Sequence, residues 1–146
     1  MPYFVVDGAF LETILHTALK GIQIRLILPG IPDKKLVNYV AKTYYRDLLS
    51  SGIEIYEYSP GFTHAKMMLA DGDKALFGTI NLDYRSFYLH FEDGVYLYKV
   101  PEISKMSQDF EITLKKCQKI TKENFEEYSK VKLLIGRILR LFGPLL

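Results

Sequence analysis

His64 and Lys66 stand two residues apart in the run His64-Ala65-Lys66-Met67-Met68-Leu69-Ala70. On a strand, both side chains leave the same face of the sheet. Two cationic or proton-handling groups beside one another on an apolar strand need a partner, and an anionic oxygen is the natural one. Downstream, Gly78-Thr79-Ile80-Asn81 offers a hydroxyl and an amide able to donate to a phosphate oxygen. Its glycine lets a ligand or an opposing chain approach the backbone closely. Each residue also has an ordinary reading: a lone strand histidine packs, Asp71 serves a turn, and Asn81 caps the next segment. What sets the group apart is its fixed intervals, His-x-Lys-x4-Asp-x6-Gly-Thr-x-Asn.

The elements that must position these residues are readable from pattern. Asp7 caps a helix running to about Lys20, with Phe10, Ile14, Leu15 and Ala18 as its apolar stripe and Gly21 closing it. Gln23–Leu28 reads as a strand ended by Pro29-Gly30. Asp33 caps a second helix, roughly Lys34–Ser50, whose buried face is Leu36, Val37, Val40, Tyr44 and Leu48. Ile53–Tyr58 alternates with period two and reads as the next strand. Ala65–Ala70 and Ala75–Gly78 form a hairpin around Asp71-Gly72. After a polar, aromatic segment (Asn81–His90) comes a strand, Gly94–Val100, and from Pro101 the pattern is helical to the end. Within it, residues 122–142 carry apolar positions at helical spacing, interrupted by Gly136. The expected fold class is therefore α/β, with a sheet and covering helices.

Composition bounds the rest. A chain of 146 residues, 49% apolar and 25% charged, is one globular domain with no sign of disorder. Its net charge is +2, but eight basic and three acidic residues fall from Thr113 onward, leaving the body at −3. That body lacks the basic stripe of a nucleic-acid binder, so no nucleic acid is expected as a partner. The longest stretches free of Asp, Glu, Lys and Arg are eight residues, Tyr58–Ala65 and Ala75–Leu82. No membrane-spanning segment and no signal peptide is expected within this chain. The single cysteine, Cys117, reads as an inert thiol, and no metal site or cofactor is expected.

The spaced motif resembles the HKD motif of the phospholipase D superfamily, matched by His64, Lys66, Asp71, Gly78, Thr79 and Asn81. The likeness extends through the stretch from Pro2 to Val37, the approach Tyr56–His64, the run NLDYRSFYLHFE and the closing RLFGPLL. These resemble the second catalytic half of bacterial cardiolipin synthases. The resemblance implies a phospholipase D-like mixed β-sheet flanked by helices, spanning 1–146 as one domain, with a helical segment at 102–146. It also implies a first strand of which only the tail is present.

The chemistry so implied is phosphodiester exchange through a phosphohistidine, with a second histidine from another HKD motif protonating the leaving alkoxide. His64 would be nucleophile or general acid/base. Lys66 would hold non-bridging phosphate oxygens, aided by Asn81 and Thr79. Glu92 would orient an active-site histidine. Asp71 and Gly78 are read as structural. Tyr84 and Arg85 are weaker candidates, Arg85 meeting a headgroup or bonding Asp83, and His16 and His90 are read as surface or packing residues. Substrate and product would be anionic phospholipids, phosphatidylglycerol and cardiolipin, at the cytoplasmic membrane.

One motif is present where a complete site needs two. The second half would come from a missing N-terminal region or from a homodimer partner. The expectations are a fragment of a longer synthase, a split gene product, or a single-motif dimer, with the first two favoured. Two other function classes stay open: a homodimeric phosphodiesterase or nuclease, and a catalytically silent module. Lys130, Lys132, Arg137 and Arg140 flank an apolar helix face that either packs on the sheet or lies on anionic lipid.

Overall fold

The computed structural model describes residues 1–145. Leu146, the last residue of the RLFGPLL run, lies outside them. The chain opens with β1 (Phe4–Val5), whose two residues pair in parallel with β6 (Leu82–Asp83). Between them come α1 (Gly8–Leu19), β2 (Arg25–Pro29), α2 (Lys35–Lys42), α3 (Tyr45–Ser50), β3 (Glu54–Tyr58) and the hairpin β4 (Met67–Ala70) and β5 (Lys74–Gly78). After β6 come β7 (Gly94–Tyr98), α4 (Glu102–Leu114), β8 (Cys117–Ile120), α5 (Lys122–Glu126) and α6 (Lys130–Arg140). The α/β class with sheets flanked by helices is what the sequence predicts. The strands form three ladders, β1-β6, β2-β3-β8 and β4-β5-β7, parallel and antiparallel mixed.

Local chemistry explains most boundaries. The Asp7 carboxylate accepts from the Phe10 amide at 2.6 Å, fixing the start of α1, and Gly21 at φ +91° closes it. The hairpin turn has positive φ at both Asp71 (55°) and Gly72 (73°), and the Asp73 amide donates to Ala70 O at 3.2 Å. This is the type I′ geometry that matches strand twist.

Five expectations need correction. The helix expected over Lys34–Ser50 is two helices. The Thr43 amide turns to Val40 O, the Tyr44 amide to Ala41 O, and the Thr43 hydroxyl also bonds Val40 O at 2.7 Å, so the helical ladder tightens and breaks there. Asp33 is not its side-chain cap, since its carboxylate accepts from the adjacent Lys34 amide. Leu36 is exposed, while Val40, Tyr44, Tyr45 and Leu48 are buried. The segment 102–146 is not helical throughout: β8 interrupts it, pairing antiparallel with β3 from Ile55↔Ile120 to Tyr58↔Cys117. Residues 122–142 then form two helices, separated near Ser129, whose hydroxyl caps α6. Gly136 sits inside α6 and does not break it.

The core gathers Phe4, Val5 and Val6 with Leu11, Leu28, Val40, Tyr44, Leu48, Ile53 and Ile55. A buried ion pair joins Lys42 to Glu57, which also accepts from the Tyr45 hydroxyl at 2.8 Å. Burial lowers the Lys42 amine below the ordinary lysine range. On the other side, the free edges of β2 and β4 face a groove of about 710 Å³, with Ile14 of α1 and Phe110 of α4 among its lining. The Met1 amine donates to Ile27 O of β2 at 2.9 Å beside this groove, and His64 lies on its wall.

Candidate active site

The β4–β5 ladder pairs Met67 with Phe77, and one step further the Gly78 amide donates to Lys66 O at 3.2 Å. The hairpin therefore folds the two ends of the spaced motif against each other, which is why a turn at Asp71-Gly72 and the six-residue interval to Gly78 belong together. The next ladder pairs Gly78 with Gly94, so Thr79 meets Asp93: the Thr79 amide donates to Asp93 O and the Asp93 amide to Thr79 Oγ1, both at 2.9 Å. A Cβ at Gly78 would lie 2.1 Å from Asp93 O, so the glycine serves this close approach of the opposing strand.

His64 and Lys66 lie in extended chain just before β4, not within it, and they do face one another. Lys66 Nζ is 3.1 Å from His64 Nε2 and donates to His64 O at 3.0 Å. His64 is exposed and the Phe62 ring packs beside it, with centroids 5.5 Å apart. Desolvation lowers the Lys66 amine, against the pull of the Glu92, Asp83 and Asp33 carboxylates. Asn81 is half-buried, and its Oδ1 is buried with no hydrogen-bond partner. Oδ1 is an acceptor, so this orphan calls for a donor; only Nδ2 of the same side chain can donate to a phosphate oxygen.

Glu92 is held differently from the expectation. It accepts from the Thr79 hydroxyl and, at 2.8 Å, from Ser86 Oγ, which hold its carboxyl below the usual range. Its histidine neighbour in this chain is His90, with Nδ1 at 3.7 Å, not His64. Arg85 donates to His90 Nε2 (3.2 Å from Nε) and does not bond Asp83. His90 and His16 are both surface residues, as expected, His90 within this polar cluster and His16 on the last turn of α1.

Sequence reasoning missed Ser86. Its hydroxyl accepts from the Asn81 amide at 3.0 Å while donating to Glu92, so it joins two of the predicted site residues. The readable signal was Asp83 three positions earlier, whose carboxylate accepts from the Ser86 amide at 2.8 Å and starts the π-helical turn Arg85–Leu89. Tyr84 packs against Tyr88 and Gly143. Asp71 sits at the turn with its side chain exposed, bonding Lys74 at 3.2 Å. Burial pushes the Cys117 thiol up, and its Sγ bonds Thr113 O.

The arrangement sets a cation beside an imidazole nitrogen, where Lys66 can hold a phosphate oxygen; the Thr79 hydroxyl is committed to Glu92. The profile of the family described as cardiolipin synthase, PLD-like domain, matches residues 1–114. The chain is 40% identical over 145 residues to a cardiolipin synthase of Clostridium perfringens, covering 99% of this chain and 30% of that protein. It is 41% identical to a cardiolipin synthase of Geobacillus, covering 99% and 29%. The chain thus spans under a third of the length of these relatives. Two solved structures share the fold at 14% identity. One is the phospholipase D family member Nuc of Salmonella typhimurium (TM-score 0.69, covering 83% of this chain and 79% of that one). The other is a phosphatidylserine synthase of Haemophilus influenzae (TM-score 0.71, 99% and 38%).

Proposed function

This chain belongs to the family of cardiolipin synthase PLD-like domains, and we propose that it supplies one catalytic half of a phosphatidyltransferase converting two phosphatidylglycerols into cardiolipin and glycerol. The observation that carries the reading is the hairpin that sets Lys66, with His64 beside it, against Gly78 at the start of the Gly78-Thr79-Ile80-Asn81 run. In the first step one histidine forms an N–P bond as the P–O bond to glycerol breaks, and a second histidine gives its proton to the departing alkoxide. In the second, a phosphatidylglycerol hydroxyl attacks phosphorus, its proton passes to the second histidine, and the N–P bond breaks. His64 takes one of these two places. Lys66 offsets charge on the non-bridging oxygens of the pentacoordinate transition state and Asn81 Nδ2 adds a donor, while Thr79, whose hydroxyl donates to Glu92, holds that carboxylate in place. The other histidine belongs to a second HKD motif, supplied by another region or by a second copy of this chain.

The test pairs light scattering over a range of concentrations with phosphatidylglycerol turnover in the presence of a chelator. Turnover by a discrete dimer supports a site shared between two copies. A monomer that turns over only with another HKD half present supports the split site. Chelator-resistant cleavage of nucleic acid without lipid turnover would replace this reading with the nuclease one.

A further inference from the structure

Helix α6 is apolar on two opposite sides. Its inner side packs on α2 so closely that a Cβ at Gly136 would lie 2.2 Å from Tyr39 O, with Leu133 and Leu139 half-buried and the Arg140 guanidinium 3.9 Å from the Tyr44 ring centroid. That packing already satisfies the helix as a structural element. Yet Val131, Leu134, Ile135, Ile138 and Leu141, at successive helical spacings on the outer side, remain 68%, 58%, 38%, 53% and 79% exposed. Phe142 and Leu145 continue the exposed apolar surface past the helix end. A surface helix with one partner normally turns charge to the solvent on its other side, so an exposed stripe of this kind marks a docking face.

The charges around the stripe identify its occupant. From Ser129 to Leu145 there are four basic residues and no acidic one. Arg140 is occupied by Tyr44 and Lys132 lies over the Tyr39 ring of α2 at 5.9 Å, leaving Lys130 and Arg137 exposed beside the stripe. Eleven residues make a helix about 16 Å long, too short to cross a bilayer and suited to lie in its plane. We infer that the outer face of α6 docks on an anionic lipid bilayer, with Val131, Leu134, Ile138 and Leu141 entering the acyl boundary and Lys130 and Arg137 at the headgroups. The helix end is tied to the site: a Cβ at Gly143 would meet the Tyr84 ring at 3.4 Å, and Tyr84 directly precedes the turn that carries Ser86. Docking therefore holds the catalytic hairpin at the lipid surface, a role that rests on the proposed reading only in that its substrate is a lipid.

The experiment is co-sedimentation of the full chain with vesicles of phosphatidylcholine alone or mixed equally with phosphatidylglycerol. The unsubstituted chain should bind the anionic vesicles at least tenfold more tightly than the neutral ones. Leu134→Ser with Ile138→Ser, and separately Lys130→Glu with Arg137→Glu, should each weaken that binding at least tenfold while circular dichroism stays unchanged. Absence of binding by the unsubstituted chain, or undiminished binding by both variant pairs, would overturn the inference. So would a dimer that Leu134→Ser with Ile138→Ser converts to a monomer, because the stripe would then belong to a second copy. His64→Ala should bind vesicles normally, and turnover of detergent-dispersed phosphatidylglycerol needs no bilayer, so failure of docking and failure of the proposed chemistry are read separately.

Discussion

The Lys66 ammonium sits 3.1 Å from His64 Nε2 and 3.0 Å from the His64 carbonyl oxygen. An ammonium carries no lone pair, so Lys66 is the donor and Nε2 the acceptor in this pair. That places the histidine proton on Nδ1 and leaves Nε2 unprotonated, as a nucleophile needs at the start and an acid partner becomes after giving up its proton. In the proposed mechanism Lys66 would exchange the ring nitrogen for a non-bridging phosphate oxygen.

Replacing Lys66 separates charge from shape. Lys66→Gln should lower turnover about 100- to 1000-fold with substrate affinity less affected, since the charge it offsets is greatest in the transition state. Lys66→Arg should not restore full activity, because the planar guanidinium cannot take the place of a compact ammonium folded back on His64. Steady-state kinetics on phosphatidylglycerol checks both.

Glu92 gives a pH signature. Its carboxyl is held below the usual range by the Thr79 and Ser86 hydroxyls. A depressed carboxylate contributes stability that is present above its unfolded pKa and lost as pH falls through the folded one. Thermal melts from neutral pH down through the carboxylate range should show Glu92→Gln less stable near neutrality by about 1 kcal/mol and with a shallower acid slope than the parent. Parallel pH curves for the two proteins would contradict the assignment.

The Lys42–Glu57 pair is a stability element away from the chemistry, with side-chain exposures of 9% and 14%. Lys42→Ala strands the Glu57 carboxylate and should cost about 3–5 kcal/mol in denaturant unfolding. Lys42→Met with Glu57→Leu removes both charges and should recover most of that loss.

Gly136 sets the contact of α6 with α2. Gly136→Ala places a methyl against Tyr39 O and should cost about 1–3 kcal/mol despite alanine's better helix propensity. Faster amide exchange in α6 than in α1 would localise the loss.

The sequence made the hairpin part of the site readable because the motif intervals are the ladder itself: a turn at Asp71-Gly72 dictates that Lys66 meets Gly78. It did not reveal the Glu92 cluster, because a π-helical turn, which has no strong pattern, decides that Ser86 and His90 curl back onto Glu92. β8 was hidden for a different reason. Four residues, Cys117–Ile120, are too few to show a period, and their strand character comes from the open edge of β3 and the Lys119–Glu54 ion pair across it. The break between α2 and α3 depends on one Thr43 hydroxyl turning back on Val40, a choice that propensity alone does not fix.

The most direct test grafts this chain into the Geobacillus cardiolipin synthase in place of the residues it matches, giving it a second catalytic half, and measures cardiolipin formed from phosphatidylglycerol with chelator present. The folded graft should make cardiolipin, and His64→Ala within it should abolish turnover while leaving the melting temperature unchanged. A folded graft that makes none, or one whose His64→Ala form works as well as its parent, would contradict the proposed function.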